Sequence, residues 1–402
     1  MRNWVFSWVQ IAAHNKIKLI LFWLILLLIA LAGFNYADVM VAHDHTLLLA
    51  VAFLLMAVVT GYLLESFKIA LIQFGLSFCL VLMTLGFNSW FGISLVNETL
   101  LGLVVLMTVV SSNLIHVLTT LSREMARGLF QFDAIAEAIK LNHMPILLSN
   151  LTTALGFTVA AFMEPSLMHL AILVVTGCLL AYLIILMAIP VILLNWLLEF
   201  RVGNSADRHG MSFVLKVLEQ NKRLRLLIFL VTFIVLFAVF SLSDIEISFM
   251  TDIFAIGCVF LILFWWAYKR FTLAVFNVVT CVLVLLMSLL VFTLFLDNDF
   301  WLWTIWVIPL GIIVDDTIHF FTRYVRAQQQ FFNEPKSAIK YAMTSVGRAI
   351  WITSWVLLSG LAVLLLSSVE FVWQSAVLTM TSIVLTTYMI IILFPALFMA
   401  HK

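Results

Sequence analysis

A chain of 402 residues in which 65% of side chains are hydrophobic, only 10% are charged and the mean hydropathy is +1.19 is not a soluble globular domain. Its formal net charge of +1 and the lack of a polybasic run argue against nucleic acid as a partner, and the short connections between so many apolar stretches leave no room for a large water-soluble domain. The four cysteines, Cys79, Cys178, Cys258 and Cys281, lie in apolar segments at spacings that match no zinc or redox motif, and read as packing residues.

The N-terminal stretch MRNWVFSWVQIAAHNKIK is too polar and too aromatic for a cleaved signal, so the first span is expected to be retained. Apolar runs of spanning length follow at residues 17–34, 46–64, 69–87, 99–121, 144–163 and 167–198. A polar stretch separates them from six more, at 226–242, 253–268, 271–296, 300–322, 350–369 and 372–399. A bilayer leaves an isolated segment only a helix in which to satisfy its backbone. The expected fold class is therefore an all-α polytopic membrane protein with 12 transmembrane helices: a first six-helix repeat (1–198), a cytoplasmic linker (199–225) and a second six-helix repeat (226–402).

Basic residues collect in cytoplasmic loops. With the N-terminus inside, all 21 Lys and Arg fall on the cytoplasmic side, among them a loop bounded by Arg323 and Arg348, while the outer connections carry only acids such as Asp38, Glu164, Asp244 and Glu370. Both termini are thus expected in the cytoplasm. Arg348 reads as an interfacial anchor, and Trp301, Trp303 and Trp306 as an aromatic belt at an outer boundary. His43, Asp44 and His45 are adjacent and cannot easily all reach one ion, and no other ligand set stands out, so neither metal nor cofactor is expected.

One stretch departs from a plain membrane span: GIIVDDTIHFFTRYVR, residues 311–326, runs into Asp315, Asp316 and His319. An aspartate at the centre of a membrane helix costs roughly 2.5–3.5 kcal/mol even on the lower scales, which makes intramembrane acids functional candidates by default. On a helix Asp315 and His319 are i,i+4 neighbours, Asp316 and His319 are i,i+3, and Thr322 follows His319 by three, so the four can share a face. Adjacent carboxyls titrate as a coupled unit, and the expected role of Asp315, Asp316 and His319 is a proton relay. One proton crossing a 100 mV potential supplies about 2.3 kcal/mol. An acid–histidine hydrolase is the weaker reading because no nucleophile accompanies the group, and no enzymatic activity is expected.

The stretch has a counterpart in the first half. SSNLIHVLTTLSR aligns with DDTIHFFTRYVR when His116 is set opposite His319, so that Ser112 faces Asp315 and Asn113 faces Asp316. Each copy continues with an amphipathic stretch (Phe132, Ile135 and Ile139; Ala338, Ile339, Ala342 and Met343), a span with a polar start and an internal glycine (Ser149, Asn150, Gly156; Thr353, Ser354, Gly360) and a last span ending near a proline (Pro190; Pro395). An even number of spans per copy makes the repeats parallel. Ser112, Asn113 and His116 either face the carboxylates or serve as interhelical polar packing, and the same alternatives stand for Thr353 and Ser354. Asn277, Asn150 and Gln73 read as polar glue between helices.

Six spans twice, the GxxxDD-x-x-H element of the tenth span and PILLSNLTTALGF after its first-half counterpart resemble the resistance-nodulation-division (RND) transporter superfamily, nearest to the MMPL-like predicted exporters. The resemblance implies a proton-motive-force-driven transporter of a hydrophobic, amphiphilic or lipid-like substrate, in the inner membrane of a bacterium, with helices four and ten carrying the proton relay. Its implied partners are protons, membrane lipids, the substrate and a homo-oligomer or accessory subunits. Two departures accompany it. Family members carry large extracytoplasmic domains after the first and seventh spans, whereas these connections here are short, at residues 35–45 and 243–252; and the first copy has Ser111, Ser112 and Asn113 where some members have carboxylates. The alternative to a transporter is a non-transporting lipid- or sterol-sensing scaffold or partner subunit of the same fold.

Overall fold

The structure is a computed structural model that describes residues 4–36, 43–93, 96, 99–196, 211–242, 247–295, 306–330 and 334–400. The helices are α1 (Trp4–His14), α2 (Lys16–Gly33), α3 (His43–Leu63), α4 (Phe67–Trp90), α5 (Thr99–Ala126), α6 (Gln131–Met163), α7 (Met168–Leu183), α8 (Ile189–Asn195), α9 (Met211–Gln220), α10 (Lys222–Leu242), α11 (Ile247–Tyr268), α12 (Phe271–Phe295), α13 (Val307–Gln330), α14 (Pro335–Leu364), α15 (Glu370–Tyr388) and α16 (Phe394–Ala400). No strand occurs among the described residues, and nine helical stretches there are long and apolar enough to cross a membrane. Three other helices occupy expected spans outside that set: α10, α11 and α13, the last interrupted by Asp315, Asp316, Arg323 and Arg326.

Packing repeats between the halves. In the first, α4 packs on α2, α3, α5 and α7; in the second, α12 packs on α10, α11, α13 and α15. Across the halves the fourth and fifth long helices exchange partners: α6 lies against α13, and α14 against α5. The repeat reaches backbone detail. Glu65 and Lys269 both take a left-handed conformation (φ 55°), unusual for a side chain larger than glycine, in the turns that join α3 to α4 and α11 to α12. Single-turn π segments at Ile184–Ala188 and Met389–Leu393 precede Pro190 and Pro395. A proline ring collides with the carbonyl four residues back, here Leu186 and Ile391, and the widened π turn falls on those residues.

Burial grades from axis to rim. Every residue of the most apolar window of α5 is buried, against 11% for α2, most of whose leucines and isoleucines face outward. Backbone proximity holds α2 in place: a Cβ on Gly86 would lie 2.0 Å from the Ala30 carbonyl oxygen, and one on Gly33 2.1 Å from the Gly86 carbonyl oxygen. Small residues that let backbones touch are how helices associate where lipid removes the hydrophobic driving force. Gly86→Val is therefore expected to detach α2 and destabilise the fold by about 1–3 kcal/mol, read as thermal unfolding in detergent. Gly75→Ala on the same helix meets nothing within 4 Å and serves as the neutral control.

The structure corrects three expectations. The amphipathic stretches are not separate from the spans that follow: α6 and α14 are continuous through 33 and 30 residues, with Pro145 inside the former. Hydropathy marks only their apolar parts, while backbone hydrogen bonding runs through the polar turns. Arg323 is not a loop residue, because α13 extends to Gln330, and Arg348 lies half-buried along α14. Trp306 is fully buried and shares a small apolar pocket with Phe260 and Cys281. Trp301, Trp303 and the side chains of His43, Asp44 and His45 lie outside the described residues. The polar-glue reading holds: Gln73 donates to Ser111 at 2.6 Å, Asn150 to the Cys178 carbonyl at 3.0 Å and Asn277 to the Tyr268 hydroxyl at 2.9 Å, each joining two helices. The four cysteines are free.

Candidate functional site

The central helices α5 and α13 cross so that equivalent residues of the two halves meet each other. Ser112 donates to Asp315 Oδ2 at 2.5 Å, and the His116 and His319 rings stack with centroids 3.6 Å apart and planes within 7°. One turn on, Arg323 Nη2 donates to Thr120 Oγ1 at 3.2 Å. Each pair is separated by 203 residues, and successive pairs are four residues apart, so one face of each helix forms a polar column along the pseudo-axis. Gly311 lets α13 close on α6 just before the acids: a Cβ there would lie 2.6 Å from Thr153 Cα.

Each carboxyl faces one imidazole, one pair within α13 and the other between α13 and α5. His319 Nε2 lies 3.7 Å from Asp315 Oδ1, and His116 Nε2 lies 3.8 Å from Asp316 Oδ1. These separations exceed hydrogen-bond length by about 1 Å, a gap that small side-chain rotations close. Thr353 donates to Asp316 Oδ1 at 3.3 Å, and the Ser149 hydroxyl faces Asp315. All these residues are at most 7% exposed. Asp315 Oδ1, His116 Nε2 and both ring nitrogens of His319 have no hydrogen-bond partner. Two imidazolium rings 3.6 Å apart would repel by roughly 4–5 kcal/mol at an effective dielectric of about 20. The stack therefore carries at most one positive charge.

His116 Nε2 and one oxygen each of Asp315 and Asp316 lie within 4.8 Å of one another, so these three could share a cation. A fourth ligand from His319 is ruled out by the stack, because two parallel ring planes cannot both contain the same ion.

Of the residues singled out in the sequence, the fold brings together Asp315, Asp316, His319, Ser112, His116 and Thr353. It does not bring the other three. Asn113 turns to Asn150 (3.1 Å), Ser354 pairs with Thr387 (2.6 Å), and the Thr322 hydroxyl makes no hydrogen bond. Asn113–Asn150 is the first-half equivalent of Asp316–Thr353, both spanning 37 residues. Removing the Ser112 hydroxyl deletes the shortest contact to Asp315, a charge-assisted bond of about 1.5–3 kcal/mol when the acid is ionised. If Asp315 carries a proton, as the sequence leads one to expect, Ser112→Ala should lower proton flux in proteoliposomes by about tenfold or more without unfolding the protein.

The residues that the sequence reading missed are Arg323 and its partners. Arg323 is 2% exposed, donates also to Asn142 Oδ1 at 3.0 Å, and leaves Nε and Nη1 without hydrogen bonds. The nearby carboxylate of Glu124 is held by Arg123 at 2.8 Å and Arg127 at 3.2 Å. The four-residue spacing of the column was the signal, since it sets Thr120 opposite Arg323.

No protein-family model matches the chain, and no curated protein matches it. Solved structures do. SecDF, a translocon-associated membrane protein from Thermus thermophilus, superposes with a TM-score of 0.61 at 13% identity over 89% of this chain, and its super-membrane-facing form with 0.62. The hedgehog release protein Disp from the water bear Hypsibius dujardini superposes with 0.64 at 11% identity over 90%. The chain spans 62% of the length of SecDF and 70% of that of Disp. At these identities the likeness is one of fold: this chain is an all-helical, multi-pass membrane protein with the fold of the membrane helices of SecDF and Disp.

Proposed function

We propose that this chain is the membrane core of a proton-driven, RND-type transporter for a hydrophobic, amphiphilic or lipid-like cargo, with Asp315 and Asp316 as the proton carriers. The supporting observation is the buried quartet of two carboxyls and two imidazoles on the pseudo-axis. Burial makes the energy difference between the protonation states of such groups large, so a proton arriving or leaving changes which side chains attract one another. The quartet spans both halves: a proton on Asp316 weakens its hold on His116 of α5, while one on Asp315 weakens its hold on His319 of the same helix. Relative movement of α5 and α13 is the mechanical output this arrangement suits.

Arg323 completes the reading as a fixed positive barrier between the quartet and the basic ends of the helices. It follows His319 by four residues, about 6 Å along a helix, and at about 6–10 Å a unit charge opposes a second one by roughly 2–3 kcal/mol. Proton passage then requires Arg323 to move, which ties it to the transport step. In this reading the chain has 12 spans, both termini in the cytoplasm and an inner-membrane location in a bacterium, and it lies near the MMPL-like branch without its outer domains.

The test is substrate-dependent proton flux. The full chain is reconstituted in proteoliposomes holding a pH-sensitive dye, a pH gradient is imposed, and lysophosphatidylglycerol or a fluorescent phospholipid is supplied. Proton entry that rises with the amphiphile supports the proposal. Flux that follows a metal-cation gradient at fixed pH reassigns the His116, Asp315 and Asp316 group to that cation, and no cargo-dependent flux at all overturns the transporter reading. One observation favours a lipid-sensing scaffold instead: only six residues separate Tyr36 from α3 and four separate α10 from α11, so neither connection holds a cargo-handling domain. A scaffold would bind lipid while remaining tight to protons.

A further inference from the structure

Where the basic ends of α10 and α14 meet α9 and α16, the helices leave a cavity of about 620 Å³, open to one side. Its charged wall comes from two facing helices: Lys222 and Arg225 at the start of α10, one turn apart, and Lys336 and Lys340 in the first turns of α14, also one turn apart. Two acids, Glu219 and Glu334, share the rim, so four bases against two acids leave the cavity with a net +2. One acid is engaged, since Ser337 donates to Glu334 Oε2 at 2.6 Å. Arg225 is anchored by donating to the Met399 carbonyl at 2.9 Å, whereas Lys222, Lys336 and Lys340 are exposed.

Beyond Arg225 the same face of α10 turns apolar. Leu226 and Phe229 line the cavity, and from Leu226 an exposed stripe continues along α10 through Leu230, Phe233 and Phe237 at three- and four-residue spacing. From Arg225 to Phe237 the helix rises about 18 Å, close to the depth of one leaflet of a hydrocarbon core about 30 Å thick. A cationic recess that opens onto an apolar track of this length matches a molecule with an anionic head and a long acyl tail. A soluble anion would use the head of the site and leave the track unexplained.

We propose that this recess is a binding site for an anionic phospholipid of the surrounding bilayer, its headgroup phosphate held by Lys222, Lys336 and Lys340 and an acyl chain laid along α10. The assignment does not rest on the proton reading of Asp315 and Asp316. Basic recesses between membrane helices on the side rich in Lys and Arg are where anionic headgroups gain most, at about 1 kcal/mol per basic residue.

Native mass spectrometry of the purified full chain tests it, with phosphatidylglycerol, phosphatidylcholine and inorganic phosphate as probes. The chain is expected to retain phosphatidylglycerol in preference to phosphatidylcholine. The K222Q/K336Q/K340Q variant is expected to lose about a hundredfold in affinity for phosphatidylglycerol, roughly fivefold per charge, with phosphatidylcholine retention unchanged and helicity intact. The corresponding triple Lys→Arg variant should keep the preference. Equal retention of the two lipids by the unmodified chain, or undiminished phosphatidylglycerol binding by the glutamine variant, overturns the proposal. So does displacement of the lipid by millimolar phosphate alone, which would make a soluble anion the ligand.

Discussion

Asp316→Asn and Asp315→Asn are each expected to lower cargo-dependent proton flux by about a hundredfold or more, the scale on which a positioned proton-transfer group acts, while the protein stays folded and membrane-inserted. Asparagine keeps the shape of the carboxyl and one acceptor oxygen for Ser112 or Thr353, but carries no charge and cannot take up the proton. Neither acid has a fixed cation in contact, so the change removes no ion pair except the contacts to the imidazoles at 3.7 and 3.8 Å. Thermal stability should therefore hold or rise, because replacing an imperfectly paired buried charge by a neutral group is often neutral or stabilising. The double variant should be little worse than either single one, since residues that act as a unit are not additive. Undiminished flux in both single variants would sink the proton assignment, and a loss accompanied by unfolding would mark the pair as structural.

Replacing Arg323 should do the opposite to the basal state. Arg323→Gln keeps a donor for Thr120 and Asn142 but takes away the charge, and proton entry without cargo is expected to rise by between about 30-fold and 150-fold, the equivalent of the roughly 2–3 kcal/mol barrier. Arg323→Lys should restore tightness. The measurement is the rate of dye quenching after a pH jump in proteoliposomes without amphiphile. A variant as tight as the original would refute the barrier role, and Arg323 would then be a structural tie between α13, Thr120 and Asn142. The two tests separate carrier from barrier: loss of an acid abolishes coupled flux, whereas loss of the arginine leaves flux that no longer needs cargo.

Much of this arrangement was legible in the chain because it is local or periodic. Asp315 and His319 share a helix face by their spacing alone, and the equivalence of His116 with His319 follows from the duplicated pattern around them. Membership of the site was less legible. Asn113 stands one residue from Ser112, yet that step rotates it about 100° around the helix, from α13 towards Asn150 on α6. Thr353 and Ser354 are likewise adjacent; one reaches Asp316 and the other Thr387. Arg323 misled the reading for another reason. Positive charge marks the cytoplasmic edge of a span, and that rule does not say which arginine snorkels outward and which is carried inward by a helix that continues to Gln330.

What the sequence determined by itself, then, is the solvent, the secondary structure and the duplication: 65% hydrophobic side chains in long runs leave only membrane helices, and a pattern repeated with an offset of 203 residues makes two copies of one bundle. Tertiary structure decided how the copies meet. Burial of α5 and α13 on a shared axis turned three equivalent pairs, Ser112 with Asp315, His116 with His319 and Thr120 with Arg323, into direct contacts. A repeat specifies that two segments resemble each other, but their touching depends on where close packing puts the pseudo-axis. On that axis a neutral half and a charged half were joined into one site.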